Sequence, residues 1–543
     1  MSDIDYDTHR YGYAKFGSSE TAQEAGLHNA ETGLFLGFDD KRLICRSSQQ
    51  AAVLLMGGAR SGKGNHIIPW LVDGSMDSHV ISMDWKGQNG AISQLQHNPS
   101  ARVINWAPRG TSFPSHKINP LSYLRADSET LVADAKLFTQ SWIPFTGSKD
   151  GEFFQANAQR YLEAITVFYA EAFSEVDLPG LSDIAVIFGT DVDLWVKFET
   201  SMRTKSKYQF IRAIGEELAT LRKSDNPTAG GMAGIKGEIL KQFSCMSDPQ
   251  LREVLSPPFD FGFAELVETN APRTQVNFME SMEFSQSSGP VVKAMYTSAL
   301  IYKRRTRHSR DQVWLLDEIG NIGSWPLALE LGTYGPGYGI RPIYCVQSTQ
   351  QLDNLAPRAA SIIPNSCGTQ IYKGVRDYNE AQRLSNMLGT MTLQVTDVLR
   401  DMELNEEVAD LSAKIGSGDE DALTVMQTLE YVKTKLGTKT PLMRSLLTAS
   451  EILNLHEHDC IVFMPGKLRA PMLLKAPPYW TRADLVGRYL GDPFHDKDGT
   501  VSIANGKGGS RTARVVTEDV PPKRKTLPQY REGRWSFVAG YRP

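Results

Sequence analysis

The stretch Ala51-Ala52-Val53-Leu54-Leu55-Met56-Gly57-Gly58-Ala59-Arg60-Ser61-Gly62-Lys63-Gly64 decides the fold. Its unbroken apolar run reads as a strand buried on both faces, the kind found in parallel sheets. The glycine-rich turn that follows has Walker A spacing, and the text beyond it continues as a helix. Backbone N–H groups of such a turn, together with the positive end of the helix, cradle phosphates, and Lys63 reaches the terminal ones. Gly58, Ala59, Arg60, Ser61, Gly62, Lys63, Gly64 and Asn65 are therefore the candidate nucleotide-binding residues. One position departs from the usual pattern. Gly64 stands where Ser or Thr ordinarily offers a hydroxyl to Mg2+, so the metal needs another ligand or a further water. A plain glycine-rich turn is the competing reading; the strand, the spacing and the lysine together weigh against it.

Outward from the loop, short β-like runs alternate with helical text. The runs are 51–56, His79–Asp84, Ala101–Trp106, Gln275–Met279, Gln312–Leu316, Pro342–Val346, Thr369–Tyr372 and Cys460–Met464. This alternation predicts an α/β domain with a mostly parallel sheet. From Glu152 to Phe173 apolar residues recur at helical spacing, and similar stretches follow to about residue 255 without a strand. The chain accordingly divides into an N-terminal segment, 1–50, packing on the nucleotide domain; that domain itself, 51–145 and 271–490; and an all-α domain inserted over 146–270. An acidic arm occupies about 401–435. Nine acids face Lys414 alone between Asp401 and Glu430, which predicts a solvated arm that repels a phosphate backbone. From 491 to 543 the text is basic and rich in Gly, Ser and Pro. Nine Lys or Arg face three acids after 500, and a flexible tail is expected.

A second constellation is Val313-Trp314-Leu315-Leu316-Asp317-Glu318, an apolar strand ending in two carboxylates. In P-loop ATPases such a strand is expected beside the Walker A strand. Asp317 is then the candidate Mg2+ ligand and Glu318 the group that activates water. The run ending at Val346 leads into Gln347-Ser348-Thr349, where Gln347 is placed to sense the γ-phosphate, and a helix cap by Ser348 or Thr349 is compatible with that role. Asp84-Trp85-Lys86-Gly87 reads equally well as an approach to the nucleotide or as a simple turn. Arg60, Arg358 and Arg376 are candidates for reaching a neighbour's nucleotide, with nothing to choose among them. The cluster Lys303–Arg310 carries five cations that suit either a phosphate backbone or a solvated connector.

With 543 residues the chain has room for two to four domains, and its net charge of −4 leaves any nucleic-acid contact to local patches. Five scattered cysteines without a CxxC pair argue against a zinc site or a disulfide framework. No apolar run approaches the ~18–20 residues of a membrane span, and the N-terminus lacks a signal core. A soluble, cytoplasmic chain is the expectation.

Taken in order, further motifs carry a family likeness. They are Tyr11-Gly12-Tyr13-Ala14-Lys15, Gly58–Gly64 with Ile67-Ile68-Pro69, Asp84–Gly87, Ile118-Asn119-Pro120-Leu121 and Phe153-Phe154. Leu315–Gly323, Gly335–Gly339, Val346-Gln347-Ser348 and Arg444–Thr448 continue the series. From about 11 to 485 the chain resembles the coupling-protein ATPases of type IV secretion and conjugation, the TraG-type family of RecA-like P-loop proteins with an inserted all-α domain. That resemblance implies ATP and Mg2+ as ligands and a homo-oligomeric ring, a hexamer, with ATP held between subunits. It also implies delivery of DNA, a relaxase–DNA complex or protein substrate to secretion-channel proteins at the cytoplasmic face of the bacterial inner membrane. Glycine after the loop lysine is familiar in that family. Its usual N-terminal transmembrane helices are lacking here, which points to a membrane-anchoring partner subunit, a trimmed chain or a naturally soluble relative. Two other functions fit the same motifs: a nucleotide-binding recruitment platform with little hydrolysis, and a DNA pump of the FtsK or HerA kind.

Overall fold

The computed structural model describes residues 9–29, 31–95, 100–145, 149–223, 230–417 and 422–543. Its strands are β1 Leu34–Phe38, β2 Ile44–Ser47, β3 Ala52–Gly57, β4 His79–Asp84, β5 Arg102–Trp106, β6 Thr274–Met279, β7 Gln312–Leu316 and β8 Ile340–Val346. They continue with β9 Cys367–Lys373, β10 Thr390–Thr396, β11 Lys439–Ser445, β12 Asp459–Phe463, β13 Met472–Lys475, β14 Thr500–Ala504, β15 Ser510–Asp519 and β16 Arg534–Val538. Eleven of them form one sheet in the order β2-β1-β13-β12-β9-β3-β8-β7-β4-β6-β5. From β9 to β5 every neighbour is parallel, and β12, β13, β1 and β2 extend the sheet antiparallel. Every residue of β3, β4, β6, β7 and β8 is buried, because helices cover both faces of the parallel part.

This order corrects one expectation. The carboxylate-bearing strand β7 is not beside β3, since β8 lies between them and pairs with both. Gln347, at the tip of β8, thereby falls between the loop and the carboxylates. The N-terminal segment also does more than pack on the domain. β1 and β2 join the sheet itself, with a register shift between Phe35 and Gly37 that disguises the strand in sequence; residues 1–8 and 30 lie outside the described residues.

Between β5 and β6 the chain is helical, with helices Lys149–Ala172, Leu178–Thr190, Val192–Lys205, Gln209–Lys223, Gly230–Phe243 and Pro249–Val254. Local chemistry starts three of them. Asp177, Asp191 and Asp248 accept the backbone N–H of Gly180, Leu194 and Gln250 at 2.6, 3.0 and 2.9 Å. Asn119 ties this insert to the sheet domain, donating to Val176 O at 2.9 Å while its Oδ1 accepts from the Leu121 N–H. Residues 146–148 and 224–229 of the insert lie outside the described residues.

The acidic arm is ordered secondary structure. β10 and β11 pair as an antiparallel ribbon, and the helices Val398–Ser417 and Ala422–Lys435 run between them. Asp419, Glu420 and Asp421 lie outside the described residues.

The expected flexible tail is folded, which is the larger correction. β14, β15 and β16 form a three-stranded antiparallel sheet. Val501, Ile503 and Val538 are buried in the core beneath the main sheet, while Tyr530, Trp535 and Phe537 cluster with Leu95 and Leu490. Each such side chain contributes on the order of 1.5–3 kcal/mol. Of the positive charges that suggested disorder, Arg511, Arg514 and Arg534 are exposed on those strands and the other six lie between or after them. Gln529 also closes the edge strand β5: its Oε1 accepts the Val103 N–H at 3.1 Å and its Nε2 donates to Ala101 O at 2.9 Å.

Candidate active site

At the C-terminal tips of β3, β4, β7 and β8 lies a cavity of about 420 Å3, lined by residues 58–65, Asp317, Glu318 and Gln347. The loop is tightly folded. Gly62 has φ +80, and a Cβ there would lie 2.9 Å from Asn65 Nδ2, so the position requires glycine. A Cβ on Gly57 would lie 2.7 Å from Lys373 O at the tip of β9. At Gly64, by contrast, an added Cβ would meet nothing within 4 Å. The missing hydroxyl is a chemical departure there, with no steric cause.

Lys63 Nζ donates to Gly57 O at 3.0 Å and pairs with Glu318 Oε1 at 3.1 Å. The second oxygen of Glu318 accepts from Gln347 Nε2 at 3.0 Å, so loop, β7 tip and β8 tip meet at one carboxylate. Glu318 is buried and sits at φ +49, ψ +40, a left-handed conformation costly for a non-glycine residue. Such strain, of order 1–3 kcal/mol, collects where a side chain must be aimed.

Asp317 accepts from Asn89 Nδ2 at 3.0 Å through Oδ2, while its Oδ1 is buried with no hydrogen-bond partner. Burial, and then the Glu318 charge, push the Asp317 carboxyl above the usual aspartate range. An uncompensated oxygen on a raised carboxyl is what a divalent cation would relieve, so the donor set fits Mg2+ at this point. Asp84 lies behind it, accepting the N–H groups of Lys86, Gln88 and Gly90 at 3.3, 3.2 and 2.8 Å. It thereby shapes the turn that carries Asn89, and burial pushes its own carboxyl up to about 7. Of the 84–87 motif, Asp84 is structural and Lys86 lines the cavity.

The family description "Type IV secretory system Conjugative DNA transfer" matches residues 18–497. The chain belongs to this conjugative DNA transfer family. Among solved structures it is similar to the bacterial conjugative coupling protein TrwB in an unbound monoclinic form, at a TM-score of 0.56 and 13% identity over 86% of this chain and 96% of that one. TrwB in complex with the ATP analogue ADPNP gives the same TM-score, identity and coverage. TrwB with ADP and Mg2+ gives a TM-score of 0.55 at 13% identity and the same coverage. These likenesses show the RecA-like fold of this conjugative coupling-protein family member. No curated protein sequence matches it. Among the described residues no helix is long and apolar enough to cross a membrane.

The other sequence-predicted groups are placed as follows in this family member. Asn65 lines the cavity but turns its amide to Ala476 O at 3.2 Å. Arg60 lines the cavity and Arg376 packs its stem near Gly58, whereas Arg358 opens the helix Ala359–Ser366 and is not among the lining residues. The Lys303–Arg310 cluster is mostly consumed internally. Lys303 is fully buried and donates to Ser309 O at 2.7 Å, Arg304 approaches Glu330 at 3.6 Å, Arg305 pairs with Asp134, and Arg310 pairs with Asp77 at 2.6 Å.

Sequence reasoning missed Asn89, Gln88, Tyr479, Trp480, Asp492 and His495, all of which reach the cavity. Only the aromatic pair after Pro477-Pro478 offered a signal, and it lies far from the motifs that drew attention.

Proposed function

We propose that this chain binds and hydrolyses ATP with Mg2+ to recruit DNA or a relaxase–DNA complex and deliver it to a secretion channel. The reading rests on the convergence of Lys63 and Glu318 at 3.1 Å in one cavity with Asp317 and Gln347. Loop N–H groups and Lys63 take the β- and γ-phosphates, and Lys63 exchanges Glu318 for phosphate oxygens as it does so. Glu318, released on that side, accepts a proton from the water that attacks the γ-phosphorus. The bond from that phosphorus to the bridging oxygen breaks, and ADP carries the oxygen away. Gln347, already beside Glu318, hydrogen-bonds the γ-phosphate. Asp317 would hold Mg2+, with Asn89 fixing the orientation of its carboxylate, and the metal would supply charge neutralisation for the phosphates.

A homo-oligomeric ring belongs to the same reading, with one of Arg60, Arg358 or Arg376 reaching across to the neighbour's nucleotide. So does a position at the cytoplasmic face of the inner membrane through an anchoring partner, and contact between the helical insert and cargo. Steady-state hydrolysis in Lys63→Ala is the test: turnover is expected to vanish, and undiminished turnover would remove the motor reading.

One observation favours the runner-up, a nucleotide-bound recruitment platform. Both oxygens of Glu318 are engaged, by Lys63 and by Gln347, which suits binding without rapid cleavage. Glu318→Gln separates the two: a motor traps ATP and stalls transfer, whereas a platform keeps transferring.

A further inference from the structure

The cavity extends past the phosphate loop. Beyond Gly64 its lining includes Ile67, Ile68 and Ile92, which share one packed cluster with Tyr479, and Trp480 packed against that cluster. We propose that Trp480 is the platform on which the base of the bound nucleoside triphosphate stacks, an inference that rests on the nucleotide reading above and adds a second subsite to it.

The segment that carries Trp480 is fastened to the phosphate loop. Ala476 O accepts from Asn65 Nδ2 at 3.2 Å and from Lys373 Nζ at 3.1 Å, so the helix after the loop and the tip of β9 grip one carbonyl. Pro477 and Pro478 then restrict the chain that leads to the aromatic pair. Trp480 itself is half-buried, leaving ring surface open to the cavity. Its position is set from behind by other rings. Tyr479 meets it edge-on at 4.9 Å and 85°, and Tyr489 meets Tyr479 at 5.1 Å and 89°. Tyr489 Oη donates to Ser502 O in β14 at 2.8 Å, so the C-terminal sheet backs the whole series.

A rigid, half-buried aromatic face packed beside isoleucines and next to the glycine-rich turn suits a flat heteroaromatic ring. His495 and Asp492 also line the cavity, and Asp492 Oδ2 accepts from Gln88 Nε2 at 2.7 Å. Hydrogen-bonding groups of this kind suit a ribose or the base edge. The ligand class is therefore a nucleoside triphosphate, held by its base as well as by its phosphates.

Calorimetric titration with Mg2+–ATP and with Mg2+–tripolyphosphate, which has no base, tests the assignment. Trp480→Ala should weaken ATP binding roughly 5- to 100-fold, the range for loss of one base–aromatic stack, and leave tripolyphosphate binding unchanged. Trp480→Phe should recover most of the ATP affinity. Equal weakening of both ligands, or unaltered ATP affinity in Trp480→Ala, would overturn the stacking role while leaving the phosphate site intact. Wild-type protein that binds neither ligand would overturn the nucleotide reading and the stacking role together.

Discussion

The first wall of the cavity, residues 58–65, is one continuous turn proposed to hold the phosphates, whereas the second comes from 479–495, roughly 400 residues later in the chain. The first wall works through backbone N–H groups and one lysine, so its spacing is visible locally. The second works through side chains that tertiary structure delivers, and nothing in its immediate text declares a ligand. On the proposed reading, phosphate recognition is a property of a motif, and recognition of the rest of the nucleotide is a property of the fold.

Perturbing each wall sharpens that contrast. The largest effect belongs to the phosphate wall: Lys63→Ala should cut ATP turnover by at least about 100-fold, as loss of a preorganised charge aimed at developing phosphate charge does. Glu318→Gln comes next. Turnover should fall on the order of 100-fold while ATP stays bound, which a filter-retention assay with labelled ATP would register. Loss of binding in that variant would mean that Glu318 holds the loop together and does not serve the chemistry.

Removing residues 498–543 addresses the second wall from a distance. It strips away Ser502 behind Tyr489 and exposes the partners of Trp535 and Phe537. ATP affinity and Tm should both fall, and unchanged ATP affinity would show the aromatic wall to be self-supporting.

A smaller effect concerns Asp84. Burial holds its carboxyl near 7 against 3.8 for an ordinary aspartate, so between those values the folded chain keeps a proton that the unfolded chain releases. Stability from this group therefore falls as pH rises from about 4 to about 7. Asp84→Asn should flatten that part of the denaturation-versus-pH curve; an unaltered slope would show the carboxylate to be ionised throughout.

The smallest effect is expected at the acidic hairpin. Replacing the helices Val398–Ser417 and Ala422–Lys435 by a short turn between β10 and β11 should leave ATP hydrolysis by the isolated chain intact, since neither helix reaches the cavity.

The parallel core was legible because its strands are continuous apolar runs ended by motif residues; His79–Asp84 and Gln312–Leu316 have the same ends in sequence and structure. Strand order was not, because the insertion of β8 between β3 and β7 leaves no mark on any single strand. β1 was hidden by Gly37 and its bulge, and β13 by its four-residue length. The C-terminal sheet was obscured by counting charge instead of reading alternation in Arg534–Val538, where Trp535 and Phe537 point inward. Within the site, Asp317, Glu318 and Gln347 could be named from strand ends and Lys63 from the spacing of the glycine-rich turn. Asn89 could not, since its role depends on where the turn built by Asp84 places it.

A structure of this chain with a non-hydrolysable ATP analogue and Mg2+ tests the central claim most directly. The account predicts the phosphates seated on residues 57–64, Lys63 moved from Glu318 to the phosphate oxygens, and Asp317 at the metal. An analogue bound elsewhere, or a loop left empty with the Lys63–Glu318 pair undisturbed at saturating ligand, would contradict it.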